Sequence, residues 1–149
     1  SQSDKLFLND LAKNIGSIDI IIDDGSHINN HVLTSFKILF PFLNSGGIYV
    51  IEDTHTSYWP KKKKSSGIIK DFGGDSANFN NLDTSMGFFK SLIDGLNHEE
   101  FLMPGYKPNY FDKNIISFHF YHNLIFIYKG NNNEESIALT NNDWDAIKG

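Results

Sequence analysis

The sequence has no cysteine and no long hydrophobic run. Because none of its 149 residues is cysteine, disulfides, thiolate metal sites and a cysteine nucleophile are excluded. No apolar run approaches the ~18–20 residues of a membrane-spanning helix, and the first residues show no signal-peptide pattern. These absences predict a cytoplasmic protein that has no membrane partner.

An excess of positive charge is also missing. The 13 Lys and Arg residues are outnumbered by 18 Asp and Glu, which gives a net charge of −5. No global basic field therefore attracts nucleic acid or an anionic membrane, and no nucleic-acid partner is expected. The hydrophobic fraction of 40% is typical of a folded protein. The length suits one domain, so residues 1–149 are predicted to form a single domain.

Helical and strand patterns alternate along the first third of the chain. The order of strand, helix and strand, with a connection of more than 20 residues, indicates a right-handed parallel crossover. The first predicted element is a helix over 3–16 that begins at Ser3 or Asp4 and ends at Gly16. A strand over Ile18–Asp23, buried on both faces, follows it. The next helix begins at about Asn30, and Pro41 ends it or extends it by one turn; a strand over Gly47–Glu52 comes after it.

The remainder of the chain is less regular. The segment 54–82 lacks periodicity, and a loop of that length is usually functional or disordered, so an active-site loop is predicted there. Residues 83–97 are predicted to be helical, and 115–130 to form two strands around a tight turn at 121–123. The polar stretch 131–149 is interpreted as a tail. The fold class is therefore α/β, with a partial Rossmann-like sheet of two parallel strands plus a C-terminal antiparallel hairpin and flanking helices.

Two adjacent acids end each of the predicted parallel strands. Asp23 and Asp24 follow "IDIII", and Glu52 and Asp53 follow "GIYVI". In an open parallel sheet, ligands bind outside the carboxyl ends of the strands. Four carboxylates meeting there would repel one another unless a cation joined them, and hard oxygen ligands suit Mg²⁺, Ca²⁺ or Mn²⁺. The alternative is that these acids cap the following helices or face water.

His27 is the titratable base beside these acids. Next to a bound metal it could remove a proton from a coordinated hydroxyl whose pKa the metal lowers; alternatively it caps the next helix. His31, four residues on, could share a helix face with His27. No Glu follows His27, however, so the zinc-binding pattern "HExxH" is not met.

The other basic groups have simpler interpretations. His55, His119 and His122 are expected to be structural or exposed. The lysine run Lys61–Lys64 is expected to be a solvated loop, or alternatively to hold an acidic group over the site.

The stretch "IDIIIDDGSHINNHVLTSFKILFPFLNSGGIYVIEDTHTSYWP" (18–60) resembles the core of the metal-dependent, S-adenosylmethionine-dependent sugar O-methyltransferases that tailor macrolides of the mycinamicin and macrocin type. The strand, "DDGSH", a helix, the "GG" strand, "IED" and "SYWP" occur in that order, and the order is more specific than any one motif. The similarity is weaker over the rest of the chain. It implies the class I methyltransferase fold, with S-adenosylmethionine and Mg²⁺ or Mn²⁺ as cofactors.

The resemblance also assigns roles to residues of this sequence. It implies a metal site, a general base for the sugar hydroxyl, a cofactor contact near the N-terminus and a loop that borders the acceptor. The implied residues are Asp24, Glu52 and Asp53 for the metal, His27 as base, Gln2, Asp23, Gly25 and Ser26 for the cofactor, and Thr54, Tyr58 and Trp59 for the acceptor.

The chain departs from this family at its N-terminal side. Class I methyltransferases begin with a strand and a glycine-rich turn that backs the methionine part of the cofactor, and an acid after the second strand holds the ribose. Neither is found here, and Gly73-Gly74 follows no strand. The sequence is therefore interpreted as the C-terminal half of a catalytic domain. Alone, it is expected to bind metal but neither to hold S-adenosylmethionine tightly nor to transfer methyl groups.

The missing first strand would pair with strand 18–23, which leaves an open edge. We expect another copy to cover it in a homo-oligomer, or the fold to be less stable than a complete domain. The predicted function of the parent protein is methyl transfer to a sugar hydroxyl of a small-molecule glycoside, macrolide-like or other. The alternatives are a non-catalytic metal- or carbohydrate-binding module and a methyltransferase-like structural or dimerisation domain.

Overall fold

The structure is a computed structural model that describes residues 1–60, 62–63 and 69–137. The helices are α1 (Lys5–Ile15), α2 (Asn29–Leu39), α3 (Ser85–Ser91) and α4 (Tyr110–Asn114), and the strands are β1 (Ile18–Asp23), β2 (Leu43–Glu52), β3 (Lys62–Lys63), β4 (Ile69–Lys70), β5 (Ile115–Tyr121) and β6 (Leu124–Lys129). Short 3₁₀ segments cover Phe40–Phe42, Thr54–Tyr58 and Asp94–Glu100.

Four strands form the main sheet, in the order β1-β2-β6-β5. Strands β1 and β2 are parallel, whereas β6 is antiparallel to both β2 and β5. Asp23 pairs with Ile51, so the carboxyl ends of β1 and β2 lie side by side. This arrangement confirms the predicted pair of parallel strands with an antiparallel hairpin.

The helices begin and end where local chemistry favours it. The Asp4 side chain caps α1 by accepting a hydrogen bond from the Phe7 amide at 3.0 Å, and Gly16, with a φ of 80°, ends the helix. Pro41 does not simply stop α2, because it lies in the 3₁₀ turn that follows. In the described part of the chain no helix has the length and hydrophobicity needed to cross a membrane.

Helices α2 and α3 cover one face of the sheet. Phe36 of α2 is fully buried, and its ring lies 4.9 Å from that of Phe89 on α3 and 5.2 Å from that of Tyr49 on β2, both edge to face. Aromatic pairs at these distances add to the stabilisation from apolar burial. The cluster therefore packs α2 against both β2 and α3.

A buried lysine joins β6 to the end of α2. The Lys129 side chain is 7% exposed, and its Nζ donates hydrogen bonds to the carbonyls of Phe40 (3.2 Å), Pro41 (2.8 Å) and Leu43 (2.6 Å). Carbonyls after a helix C-terminus have no partner within the helix, and the ammonium group supplies a donor to all three, although the Phe40 carbonyl also accepts from the Leu43 amide.

The prediction that β1 is buried on both faces is wrong. Ile20 and Ile22 are 63% and 60% exposed, and they point away from the face that α2 covers. Strand β1 lies at the edge of the sheet, as expected, and this face of the strand is largely open. A run of isoleucines indicates a surface suited to burial, but it does not specify whether a covering layer is present.

The predictions for the middle of the chain were partly right. The expected helix over 83–97 ends at Ser91 and is followed by the 3₁₀ segment, in which Asn97 leaves helical geometry. The loop 54–82 contains a 3₁₀ segment and the β3–β4 pair. Lys61 and Lys64 of the lysine run, and the tail beyond residue 137, lie outside the described residues. The division into one domain, an active-site loop and a tail stays a prediction.

Candidate active site

The ends of β1 and β2 bring two carboxylates and one imidazole together. One ligand atom each from Asp24, His27 and Asp53 lies within 4.8 Å of the others. Asp24 follows β1, whereas Asp53 follows β2, so the parallel pairing of the strands builds this group. The side chains of Asp24 and Asp53 are 60% and 50% exposed, which leaves their oxygens open to a ligand.

His27 faces both acids. Its Nε2 lies 3.7 Å from Oδ1 of Asp24 and 3.6 Å from Oδ2 of Asp53. Its Nδ1 is buried and has no hydrogen-bond partner among the described residues. Nε2 is thus the ring nitrogen that points at the acids, on the side of the imidazole where a ligand held by Asp24 and Asp53 would lie.

The backbone is strained on both sides of this group. His27 has a φ of 55° and Asp53 a φ of 54°, both in the left-handed region that side chains other than glycine rarely adopt. Such residues cost of order 1–3 kcal/mol each and concentrate at functional sites. Two strained residues that face each other across 3.6 Å indicate that the fold is holding a specific geometry at this point.

The four carboxylates expected to converge do not all do so. Asp23 and Asp24 are adjacent, and successive side chains at a strand end point to opposite sides. Asp23 is therefore buried, 7% exposed, while Asp24 faces the open site. Glu52 pairs with Leu124 at the end of β2 and is outside the group formed by Asp24, His27 and Asp53. Its role as a metal ligand stays a prediction.

The residues expected to contact the cofactor lie next to one another. The Gln2 side chain donates from Nε2 to Oδ1 of Asp23, and its Oε1 accepts from the Ser26 amide at 2.8 Å. A Cβ at Gly25 would come within 2.4 Å of the Gln2 side chain, so glycine permits this close contact. Their cofactor role stays a prediction.

Asp23 lies in a small cavity of about 250 Å³ lined mostly by apolar side chains of α1, β1 and α2. Burial raises the pKa of the Asp23 carboxyl, and the neighbouring Ser35 hydroxyl, the hydrogen bond from Gln2 and the charge of His27 offset only part of this effect. Burial and the neighbouring Asp23 carboxyl likewise hold the pKa of Tyr49 well above its ordinary value. Oδ2 of Asp23 and the Tyr49 hydroxyl have no hydrogen-bond partner among the described residues.

The predicted acceptor loop forms an aromatic wall beside the acids. Trp59 is 48% exposed, and its ring lies 4.4 Å from that of His55 and 5.7 Å from that of Phe72. Tyr58 packs edge to face on Phe79 at 5.7 Å. Thr54 is buried, and its amide donates to the carbonyl of Asn123 in the β5–β6 turn. A role in acceptor binding stays a prediction for Thr54, Tyr58 and Trp59.

The remaining histidines of this region are separated from the acids to different degrees. His31 does not share a helix face with His27, because His27 precedes α2; its Nδ1 instead lies 2.9 Å from the Ser26 hydroxyl. Nδ1 of His55 is 3.8 Å from Oδ1 of Asp53. His119 and His122 are exposed, in agreement with expectation.

Asn29 belongs to this region and was missed by the sequence analysis. Its side chain is fully buried and contacts the segments around Thr56, Phe72 and Ser85. The only signal in the sequence is an asparagine at the start of a helix, which ordinarily indicates a cap. Its partners are 27 to 56 residues away in the chain, so spacing alone could not identify them.

The sheet order and the acids after two parallel strands match the C-terminal part of a class I methyltransferase fold. Solved structures agree. Crystal forms of the MycE methyltransferase from the mycinamycin biosynthetic pathway, in complex with Mg and SAH, are similar to this chain with a TM-score of 0.80 and 46% identity over 92% of the chain. A third, which also contains mycinamycin VI, has a TM-score of 0.78.

Known sequences confirm the resemblance to the macrolide-tailoring sugar O-methyltransferases. The chain is 47% identical to mycinamicin VI 2''-O-methyltransferase of Micromonospora griseorubida over 91% of its length, and 47% identical to demethylmacrocin O-methyltransferase of Streptomyces fradiae over 98%. It covers 32% and 35% of those proteins, so it spans about a third of the relatives it matches. No protein-family model matches the chain.

Proposed function

We propose that the protein is an S-adenosylmethionine- and Mg²⁺-dependent O-methyltransferase that acts on a sugar hydroxyl of a glycosylated small molecule. The observation that supports this most directly is the group of Asp24, His27 and Asp53 at the ends of two parallel strands. The relatives support the type of acceptor, because two of them are named for methylation of mycinamicin VI and demethylmacrocin.

The donor set of this group fits a hard divalent cation. Asp24 and Asp53 present exposed carboxylate oxygens, which Mg²⁺ and Mn²⁺ prefer, and Glu52 is the further predicted ligand. When bound, the ion supplies Lewis acidity that makes the acceptor hydroxyl easier to deprotonate. The imidazole beside the two acids favours an enzyme over a Ca²⁺-binding module, because Ca²⁺ sites are built from oxygen ligands.

His27 is the general base of the proposed reaction. Its Nε2 takes the proton of the sugar hydroxyl, and the oxygen attacks the sulfonium methyl of the cofactor. The new O–C bond forms as the C–S bond breaks, which gives the methyl ether and S-adenosylhomocysteine. Trp59 and the segment around it form one wall of the acceptor site, and positioning of the two substrates supplies much of the rate.

Gln2, Asp23, Gly25 and Ser26 are proposed to form the adenine side of the cofactor site. Their mutual contacts place them in one cluster at the end of β1. A homo-oligomeric state and a cytoplasmic location stay predictions from the sequence.

A methyl-transfer assay on the full-length protein tests this function. The protein is incubated with methyl-labelled S-adenosylmethionine and a macrolide glycoside such as mycinamicin VI, with Mg²⁺ or with a chelator. We expect label in the sugar only when the divalent ion is present, and restoration when Mg²⁺ is returned in excess. Transfer that continues unchanged in the chelator would contradict the metal-dependent function.

A further inference from the structure

Asn29 is a fully buried polar residue two positions after His27. It is the first residue of α2 and is 0% exposed. A buried amide is costly unless its hydrogen-bonding groups find partners. The contacts that its side chain makes therefore show what this position contributes to the fold.

Every hydrogen-bonding group of the Asn29 amide has a partner. Nδ2 donates to the carbonyls of Thr56 (3.1 Å) and Phe72 (2.8 Å). Oδ1 accepts from the amide (2.7 Å) and the hydroxyl (2.9 Å) of Ser85 and from the Ser57 hydroxyl (3.3 Å). The orientation is unambiguous, since a flipped amide would place its oxygen against two carbonyls.

One of these partners leads directly to Asp53. The backbone N–H and the side-chain hydroxyl of Thr56 both donate to the Asp53 carbonyl, at 3.3 and 3.2 Å. Asp53 holds a left-handed φ of 54°, and these two bonds fix its carbonyl in that geometry. Asn29 is thus connected to the strained residue through the single residue Thr56.

A second partner leads to the predicted acceptor wall. The Phe72 carbonyl accepts from both the backbone amide and the side chain of Asn29, and the Phe72 ring packs on Trp59 at 5.7 Å. Two positions on, a Cβ at Gly74 would come within 2.4 Å of the carbonyls of Thr56 and Trp59. This segment is therefore packed closely against the loop that follows β2.

We propose that Asn29 is a positioning residue that locks the two arms of the metal site together. One arm carries Asp24 and His27 after β1, and the other carries Asp53 after β2. The sheet pairs the strands only as far as their ends, and beyond that point the Asn29 amide links the arms through its hydrogen bonds to Thr56 and Ser57. This inference rests on the proposed function, because it assigns the locked geometry to metal binding.

The test compares Asn29→Asp with Asn30→Asp in the full-length protein. Asn29→Asp keeps the size of the side chain but removes both donors, so a carboxyl oxygen faces two carbonyls. Asn30 is the exposed neighbour, and Asn30→Asp adds the same charge at the same helix start without touching the network. The readout is Mn²⁺ affinity, measured by electron paramagnetic resonance of free Mn²⁺ without cofactor or acceptor.

We expect Asn29→Asp to weaken Mn²⁺ binding by about 10–100-fold, the scale found for residues that orient metal ligands. Asn30→Asp should bind like wild type. Ile127→Ala removes a buried side chain from β6 and controls for lost stability. If Asn29→Asp loses no more affinity than Ile127→Ala at a matched shift in melting temperature, Asn29 is only structural and the inference is overturned.

A second variant keeps the test valid if Asn29→Asp does not fold. Thr56→Val removes the hydroxyl bond to the Asp53 carbonyl and keeps the shape of the side chain. It should weaken Mn²⁺ binding several-fold, and unchanged affinity would contradict the link through Thr56. A failure of the proposed function is distinguishable from both results, because the wild-type protein itself would then bind no Mn²⁺ and the inference would fall with it.

Discussion

Nε2 of His27 lies 3.6 Å from Oδ2 of Asp53, although the two residues follow different strands. The first prediction concerns the role of His27 as the general base. His27→Ala in the full-length protein should lower methyl transfer by about 10²–10⁴-fold, the usual effect of removing a general base. Metal affinity should be retained, as measured by calorimetry, since both carboxylates remain.

His119→Ala is the matched control for the loss of an imidazole, because His119 is exposed on β5. It should leave methyl transfer near the wild-type rate. Near-normal turnover of His27→Ala would assign the role to another residue, and His31 would be the next to test.

The second prediction concerns the metal ligands. Asp24→Ala and Asp53→Ala should each abolish the heat of Mg²⁺ or Mn²⁺ binding in calorimetric titration, since each removes one of the two carboxylates that the structure brings together. Asp83→Ala removes an exposed acid outside the group and should titrate like wild type. Equal heats for all of these proteins would exclude the site.

The third prediction is a pH dependence of stability that arises at Asp23. Burial raises the pKa of Asp23 in the folded protein above its value in the unfolded chain. A group of this kind stabilises the fold fully at pH values below the unfolded pKa, and the contribution is lost as the pH rises through the folded pKa. Asp23→Asn, which is uncharged at every pH, should therefore raise the melting temperature near neutral pH.

The gain from Asp23→Asn should shrink as the pH falls to about 4, near the pKa of an unperturbed aspartate. Thermal melts by circular dichroism across this range measure it. Asp10→Asn makes the same change on the exposed side of α1 and should show no pH-dependent gain. If Asp23→Asn were less stable than wild type near neutral pH, the neighbours of Asp23 would have to compensate the cost of burying its ionised carboxylate.

The fourth prediction concerns Lys129. Lys129→Met keeps the apolar stem and removes the ammonium group, so the carbonyls of Phe40, Pro41 and Leu43 each lose one donor, and that of Phe40 keeps the Leu43 amide. Unsatisfied buried groups cost about 1–3 kcal/mol. Urea denaturation should therefore show that the free energy of unfolding falls by about 2–4 kcal/mol when the three hydrogen bonds of Lys129 are lost together. Lys113→Met, at an exposed position, should change the unfolding free energy little. An equal effect of the two variants would mean that the three bonds contribute nothing.

Much of the fold could be predicted from the sequence, because it depends on local signals. The bounds of β1 were predicted without error, and the turn between β5 and β6 fell where expected. Both follow from short apolar runs bounded by polar residues. The exposure of Ile20 and Ile22 could not be predicted, because it depends on which element covers that face of the sheet and not on the strand itself.

The site was only partly predictable, for a similar reason. Asp24 and Asp53 follow their strands directly, so the parallel pairing predicted that they would meet. The opposite orientations of Asp23 and Asp24 depend on where the pleat of β1 ends. The contacts of Asn29 depend on how two loops and α3 close over the start of α2, and residues 27 to 56 positions apart carry no local signal for that.

At His27 and Asp53 the left-handed backbone lowers the stability of the fold, and the same two side chains carry the proposed function. Glycine adopts this conformation without the steric cost that other residues incur, so His27→Gly and Asp53→Gly should relieve strain in the fold while they remove the base and a ligand. A library of variants selected for heat resistance alone would be expected to accumulate glycine at both positions. Selection for turnover would restore the histidine and the aspartate, and the resulting trade-off would mark the site without any knowledge of its substrate.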